Sequence, residues 1–279
     1  HTFGATGEAI CHVGARPVFV DVEDDHLCLD PSLVEAAITE RTKVILPVHI
    51  YGHPADTEAL GEIASRHGLD VVEDAAQAPG ARRGARTTGA MGRVGCFSFY
   101  PGKNLGACGA GGGLTSGDEA IVESVVSRRH HGQGKIKNMH DAVGYTGRLD
   151  TLQAVVLGVK LPHLDGWNQS RRDIANHYRE RLAGKYRMPT ILDETEPVHH
   201  IFPIQSDDPE GLIARLRDEQ VYCGRHYPVA CNLQPALKGL IADDTSCPVG
   251  EELCENIVSL PIFAEMTHNM VDVVCDLLL

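Results

Sequence analysis

LDVVEDAAQAPG (Leu69–Gly80) and GCFSFYPGKNLG (Gly95–Gly106) are the two stretches on which the fold turns. Each is a short apolar run that stops at small, turn-forming residues, as a strand buried in a sheet stops at its carboxyl-end loop. Working outward, RPVFVDV (16–22) and KVILPVHI (43–50) read as further strands, and PSLVEAAI (31–38) and TEALGEIASRHG (57–68) as helices. In the last, Leu60, Ile63 and Ala64 follow i, i+3, i+4; Asp56 can cap the start, and Gly68 ends the helix. Strands alternating with helices predict an α/β layered fold with a mostly parallel sheet, whose ligands bind outside the carboxyl ends of the strands.

Chemistry-bearing residues gather at that end. Alternation puts Glu73 and Asp74 on opposite faces of their strand, so one carboxylate reaches the site, and Asp74 is the better placed. Lys103 follows the second strand inside a turn set by Pro101 and Gly102. A P-loop fails here, because Phe97 holds the position of its first glycine and Asn104 that of its Ser/Thr. The dinucleotide fingerprint fails too, since from Gly109 and Gly111 its last glycine falls on Leu114. The glycines then serve tight turns and close backbone packing. What remains is a lysine amine, a carboxylate and a hydroxyl, from Lys103, Asp74 and Ser98. Pyridoxal 5′-phosphate (PLP) chemistry needs that set: an amine for a Schiff base, an acid against the pyridine nitrogen and a donor to the phosphate. A proton-shuttling lysine must titrate well below its free value of about 10.4, and burial lowers it.

The second half of the chain predicts a smaller α+β domain. Leu149 to about Lys185 reads as helical, with Leu152, Val155, Val156, Val159 and Leu161 on an apolar face and a kink or new helix at Pro162. HHIFPIQ (199–205), PEGLIARLRDEQ (209–220) and VYCGRHYPV (221–229) read as strand, helix and strand, and MVDVVCDLLL (270–279) as a last helix. The expected division is residues 1–167 for a PLP-binding large domain and 168–279 for the small one.

With 43% hydrophobic and 23% charged residues, the composition is that of a globular protein. A formal net charge of −13 opposes nucleic acid phosphates and anionic lipid. No window approaches the roughly 18 apolar residues of a membrane span, and no signal-peptide pattern opens the sequence, so a cytoplasmic address is expected. The nine cysteines never fall as C-x-x-C, which predicts free thiols. Among fifteen histidines no H-E-x-x-H occurs, and no metal is expected.

VVEDAAQAPGA followed by FSFYPGKNLGACGAGG resembles the DegT/DnrJ/EryC1/StrS family of PLP-dependent sugar aminotransferases. So, in family order, do HTFGAT, GARPVFVDV, LPVHIYGHPADTEAL, GYTGRLDTLQAVVLGVKLPHLDGWNQSRR, GRHYPV and SLPIF. The resemblance implies a fold-type I PLP-transferase fold with Lys103 as Schiff-base lysine, Asp74 on the pyridine nitrogen and Ser98 on the phosphate. It places Gln77 against the ring, Phe3 stacked near it and His226 and Tyr227 on the substrate side. Arg148 would serve the other protomer's site in a homodimer. The implied reaction moves an amino group from an amino acid, L-glutamate, to a keto group of a nucleotide-linked deoxysugar, at C3 by the likeness of KLPHLDGWNQSRR. A cyclitol or other carbocyclic ketone is the alternative substrate, and a non-catalytic regulatory member the alternative class. Two departures stand out. Thr146 replaces the asparagine of the family's G-x-N-x-R pattern. The family also carries some dozens of residues before TFGAT, including a Gly-Thr pair that cradles the phosphate, so this chain as written is expected to bind PLP weakly.

Overall fold

The computed structural model describes residues 1–241 and 245–279. In chain order its strands are β1 (Val44–Ile45), β2 (Asp70–Asp74), β3 (Arg82–Arg83), β4 (Arg86–Thr87), β5 (Val94–Ser98), β6 (Gly112–Ser116), β7 (Thr195–Glu196), β8 (Phe202–Gln205) and β9 (Ile257–Leu260). The helices are α1 (Ala5–His12), α2 (Pro31–Ala37), α3 (Thr57–His67), α4 (Glu119–Arg128), α5 (Thr151–Lys160), α6 (Leu164–Leu182), α7 (Pro209–Asp218), α8 (Pro248–Asn256) and α9 (His268–Leu278). The main sheet has the order β1-β2-β5-β6, parallel from β1 to β5 and antiparallel at β6. β2 and β5 are neighbours, so the loops carrying Asp74 and Lys103 leave the same edge of the sheet side by side.

Local signals account for α3. The Asp56 carboxylate accepts from Ala59 N at 3.0 Å, and Gly68 closes the helix at φ 63°. Leu60, Ile63 and Ala64 pack with Val34, Ile45 and Val71 under the sheet. β1 is shorter than KVILPVHI suggests, because Pro47 has no N–H to give the ladder; its carbonyl still accepts from Asp74 N at 2.9 Å.

Two expected strands do not form. Residues 16–22 make one isolated bridge, Val22 to Leu29, and Val18 is 61% exposed. An extended segment becomes a strand only beside a partner, and the described residues give it none. It instead walls a groove of about 550 Å³ with Ile10, Val34 and Ile45. VYCGRHYPV likewise makes only the Gly224–Ser259 bridge, and the partner of β8 is β9, in antiparallel register.

The long helical region breaks where Pro162 sits, in a 3₁₀ turn over Leu161–His163 between α5 and α6. The α6 face bearing Ile174, Tyr178 and Leu182 packs on Phe202, Ile204, Leu216, Val258, Val271 and Val274 as the core of the C-terminal half. Each such side chain contributes about 1.5–3 kcal/mol by burial. The expected apolar face of α5 points outward instead: Leu152 is 79% exposed, Val155 59% and Val159 67%.

A buried imidazole pair joins the sheet to the C-terminal half. His53 Nε2 lies 3.2 Å from His199 Nδ1, with the rings edge-on. Burial, with the Arg179 charge adding to it, pushes His53 down to about 3, and burial also holds His199 and His200 well below the ordinary value. An unfolded imidazole titrates near 6.5. Below that pH the unfolded chain therefore binds more protons than the fold, and stability falls as pH falls. We expect urea-unfolding free energy to drop between pH 6.5 and 5 by up to about 1.4 kcal/mol per unit for each buried imidazole. His199→Gln should flatten that slope; an equally steep fall in the variant would assign it elsewhere.

Candidate active site

Asp74 ends β2, its backbone fixed by His49 N donating to Asp74 O at 3.0 Å. Its side chain takes only neutral donors: Thr6 Oγ1 at 2.7 Å on Oδ2 and Ala76 N at 3.1 Å on Oδ1. Glu73 points the other way and is fully buried. Its carboxylate accepts from His49 Nε2 at 3.0 Å, Gly89 N at 2.7 Å, Met91 N at 2.8 Å and Gly92 N at 2.6 Å. Burial alone would raise Glu73, but the His49 and backbone hydrogen bonds outweigh it and hold the carboxyl below its ordinary value. The two neighbouring acids thus have opposite parts: Glu73 is spent on folding the 89–92 turn, and Asp74 is left half-buried with no cation among the described residues in contact with it.

Lys103 sits half-buried in the turn after β5, with its N–H donating to Tyr100 O at 2.9 Å, and Ala107 N to Phe99 O at 2.8 Å closes the loop. A Cβ on Gly106 would lie 2.3 Å from Pro101 O, so the turn requires glycine there. Leu105 and Ala107 anchor it against Leu157 of α5 and Leu164 of α6. Burial lowers the Lys103 amine below its ordinary value, while the Asp74 charge pulls the other way.

The remaining expected residues divide. Phe3 is 59% exposed, its ring 5.5 Å from that of Tyr227, leaving an aromatic face open at the site. Gln77 is buried and bridging: its Oε1 accepts from Tyr51 N at 2.5 Å, and its Nε2 donates to the Tyr227 hydroxyl at 2.9 Å. Burial pushes that hydroxyl up to about 12, so it stays protonated. His226 Nδ1 lies 2.9 Å from Ser259 Oγ, and the Tyr51 hydroxyl donates to His226 O. Ser98 Oγ accepts from Tyr100 N at 3.3 Å. Arg148 is not brought to this group within the chain; it is exposed, with Nη1 2.7 Å from His130 Nδ1, and Thr146 Oγ1 lies 3.4 Å from His131 Nε2.

Sequence reasoning missed Thr6, Asn104 and His200. Thr6 stands in the quoted TFGAT, but a partner 68 positions away leaves no local pattern. Asn104 was visible only as the residue that spoils a P-loop, and His200 only as half of a histidine pair.

The residues present fit pyridoxal phosphate at its ring. A carboxylate free of cations suits a protonated ring nitrogen, a half-buried amine suits the aldehyde carbon, and an open aromatic face suits a flat π-system. Of the expected phosphate contacts, Ser98 stands at the end of β5, ahead of the Lys103 turn.

A sequence model of the DegT/DnrJ/EryC1/StrS aminotransferase family matches residues 1–279. The chain is 44% identical over 264 residues to a dTDP-3-amino-3,4,6-trideoxy-alpha-D-glucose transaminase of Streptomyces venezuelae, covering 94% of this chain and 69% of that one. It is 46% identical over 277 residues to the erythromycin biosynthesis sensory transduction protein EryC1 of Saccharopolyspora erythraea, covering 98% and 75%. The crystal structure of S. venezuelae DesV superposes with a TM-score of 0.95 at 43% identity, over 99% of this chain and 75% of that one. A DegT DnrJ EryC1 StrS aminotransferase from Brucella abortus does so with 0.95 at 34%, over 99% and 76%. Fold and likeness together make the protein an aminotransferase of mixed α/β architecture. It belongs to the DegT/DnrJ/EryC1/StrS aminotransferase family.

Proposed function

We propose that the protein transfers an amino group from an amino acid, L-glutamate, to the C3 keto group of a nucleotide-linked deoxysugar, with pyridoxal phosphate on Lys103. The carrying observation is that β2 and β5 are parallel neighbours, so that Asp74, whose side chain accepts from Thr6 Oγ1 and Ala76 N, and the half-buried Lys103 follow adjacent strand ends. The C3 assignment draws on the S. venezuelae relative, named for a 3-amino sugar. Solved relatives in pyridoxamine- and pyridoxal-phosphate forms support the cofactor.

When bound, the cofactor supplies an electron sink for the carbanion left by Cα deprotonation. The chain supplies the rest. Lys103 Nζ, held low by burial, would take the proton from the donor's Cα and deliver it to the carbon across the C–N bond, so that the amino group leaves the donor. Asp74 would hold the ring nitrogen. Phe3 would stack near the ring, and Gln77, donating to the Tyr227 hydroxyl, leaves that hydroxyl's proton to donate on the substrate side. The test is two half-reactions followed by absorbance: loading with pyridoxal phosphate and L-glutamate, then addition of a dTDP-3-keto-deoxysugar or a carbocyclic ketone. Amination of the carbocycle alone would transfer the assignment to it.

We further propose a division at residues 1–167 and 168–279, a cytoplasmic address suited to nine free cysteines, and a homodimer. For the dimer, the outward row of Leu152, Val155 and Val159 on α5 lies directly after the Arg148 segment, so a second copy covering this face would bring Arg148 toward its partner's site. Mixing Lys103→Ala and Arg148→Ala proteins, each inactive alone, is expected to restore up to about a quarter of activity through hybrid dimers, each carrying one intact site. Subunit exchange without recovery would confine each site to one chain.

A further inference from the structure

The loop carrying Asp74 and the loop carrying Lys103 are joined by side-chain amides that the chemistry above does not use. Asn104, next to the lysine and 6% exposed, donates from Nδ2 to Asn168 Oδ1 at 3.0 Å and to Val198 O at 2.9 Å. Its Oδ1 accepts from His200 Nδ1 at 3.1 Å. Asn168, on α6 and 1% exposed, donates in turn from Nδ2 to Pro79 O at 2.9 Å, in the loop that begins at Asp74. A continuous line therefore runs from Pro79 O through Asn168 and Asn104 to His200.

We propose that Asn104 and Asn168 are positioning residues that set the separation of Asp74 and Lys103, with His200 orienting the Asn104 amide. The proposal rests on the reading of Lys103 and Asp74 as cofactor residues. Direction is unambiguous along the line. Both Nδ2 hydrogens of Asn104 are taken by carbonyl-type acceptors, so its Oδ1 faces His200 and must receive a proton. His200 is held neutral by burial and by the Lys103 charge, which makes Nδ1–H its required tautomer. A buried amide with every hydrogen bond made has one orientation, and turning it would leave polar atoms unpaired. The close approach is built into the opposite loop as well. Gly80 has φ +85°, and a Cβ there would come within 2.8 Å of Asn168 Nδ2, so that loop is shaped around the amide. Together the two asparagines join the loops that bear the candidate reacting groups.

The two loops carry their own reporters. Ala78 N donates to Ala75 O and Ala81 N to Ala78 O on the Asp74 side, and Lys103 N to Tyr100 O and Ala107 N to Phe99 O on the lysine side. Amide hydrogen exchange of the protein without cofactor is expected to quicken at least about tenfold at all four in Asn168→Ala, while amides of β8 and β9 keep their rates. Asn168→Leu, close in volume but able to make neither bond, should quicken the same four amides and serves if the alanine variant does not fold. With cofactor and L-glutamate plus the keto-sugar acceptor, kcat should fall about tenfold or more in both variants, with KM for glutamate within about twofold. Exchange rising equally in β8 and β9, or unchanged kcat in a variant with loosened loops, would reduce the pair to ordinary structural bonds and overturn the proposal. Borohydride reduction of the loaded wild-type protein and peptide mapping is read separately. Label on a residue other than Lys103 would fell the functional reading, whereas label on Lys103 with unlinked loops would fell only this one.

Discussion

Lys103→Ala is expected to abolish measurable transamination while leaving the fold as stable as before. As both attachment point and proton carrier, the amine's loss should cost at least about 10²–10⁴-fold in rate. Stability moves differently. Burial depresses the Lys103 amine in the fold relative to the unfolded chain, so at neutral pH the charged amine is a cost of folding that alanine removes. The turn does not need the side chain either: Gly106, the Tyr100 and Phe99 carbonyls and the Leu105–Leu157 packing hold it. Thermal unfolding should shift by no more than a few degrees, and the visible band of the loaded protein should vanish. A variant that retains the band and turnover would show that another amine holds the cofactor.

How much of this was legible depended on whether the cause was local. α3 was readable because cap, apolar spacing and terminating glycine all lie within the helix and its two flanks. The same holds for β2 and for the opposed Glu73 and Asp74, where period-two alternation suffices. Residues 16–22 and 221–229 have strand-like composition, yet pairing requires a neighbour, and composition does not say whether one is there. The outward face of α5 shows the same limit: its apolar spacing was plain, but which surface covers it is not written in the helix. For the candidate site, Lys103, Asp74 and Ser98 were proposed by residue type at a strand end, and resemblance added Gln77, Phe3, His226 and Tyr227. Asn104 and Asn168 were out of reach because an amide carries no chemistry until its partner is known, and that partner lies 64 positions along the chain. The structure also shows Gln77 as a buried bridge between Tyr51 N and the Tyr227 hydroxyl and leaves Arg148 outside the single-chain site.

Glu73 and Asp74, adjacent in sequence, are expected to separate stability from activity when each is changed to its amide. Glu73→Gln leaves one oxygen where the carboxylate received four donors, and brings an NH₂ group toward N–H groups that need an acceptor. With at least two buried donors unpaired at about 1–3 kcal/mol each, the loss is about 2–6 kcal/mol, a large part of a typical domain's stability. At about 2–4 °C per kcal/mol, thermal unfolding should move down far enough to read without ambiguity. Because the folded Glu73 carboxyl lies below its unfolded value, its contribution is present above that value and is lost as pH falls through the folded one. The stability gap between wild type and Glu73→Gln should therefore close in acid. Asp74→Asn should do the reverse. The amide oxygen still accepts from Ala76 N, and the Thr6 hydroxyl can turn to accept from the new NH₂, so stability should change by no more than about 1 kcal/mol. Activity should fall by roughly 10- to 200-fold, the equivalent of about 1.5–3 kcal/mol for a charged hydrogen bond withheld from the ring nitrogen. Parallel unfolding and rate measurements on the two variants decide the matter. Near-normal rates in Asp74→Asn would give the ring nitrogen another acid, and an unshifted melting temperature in Glu73→Gln would show that the 89–92 turn holds without its carboxylate.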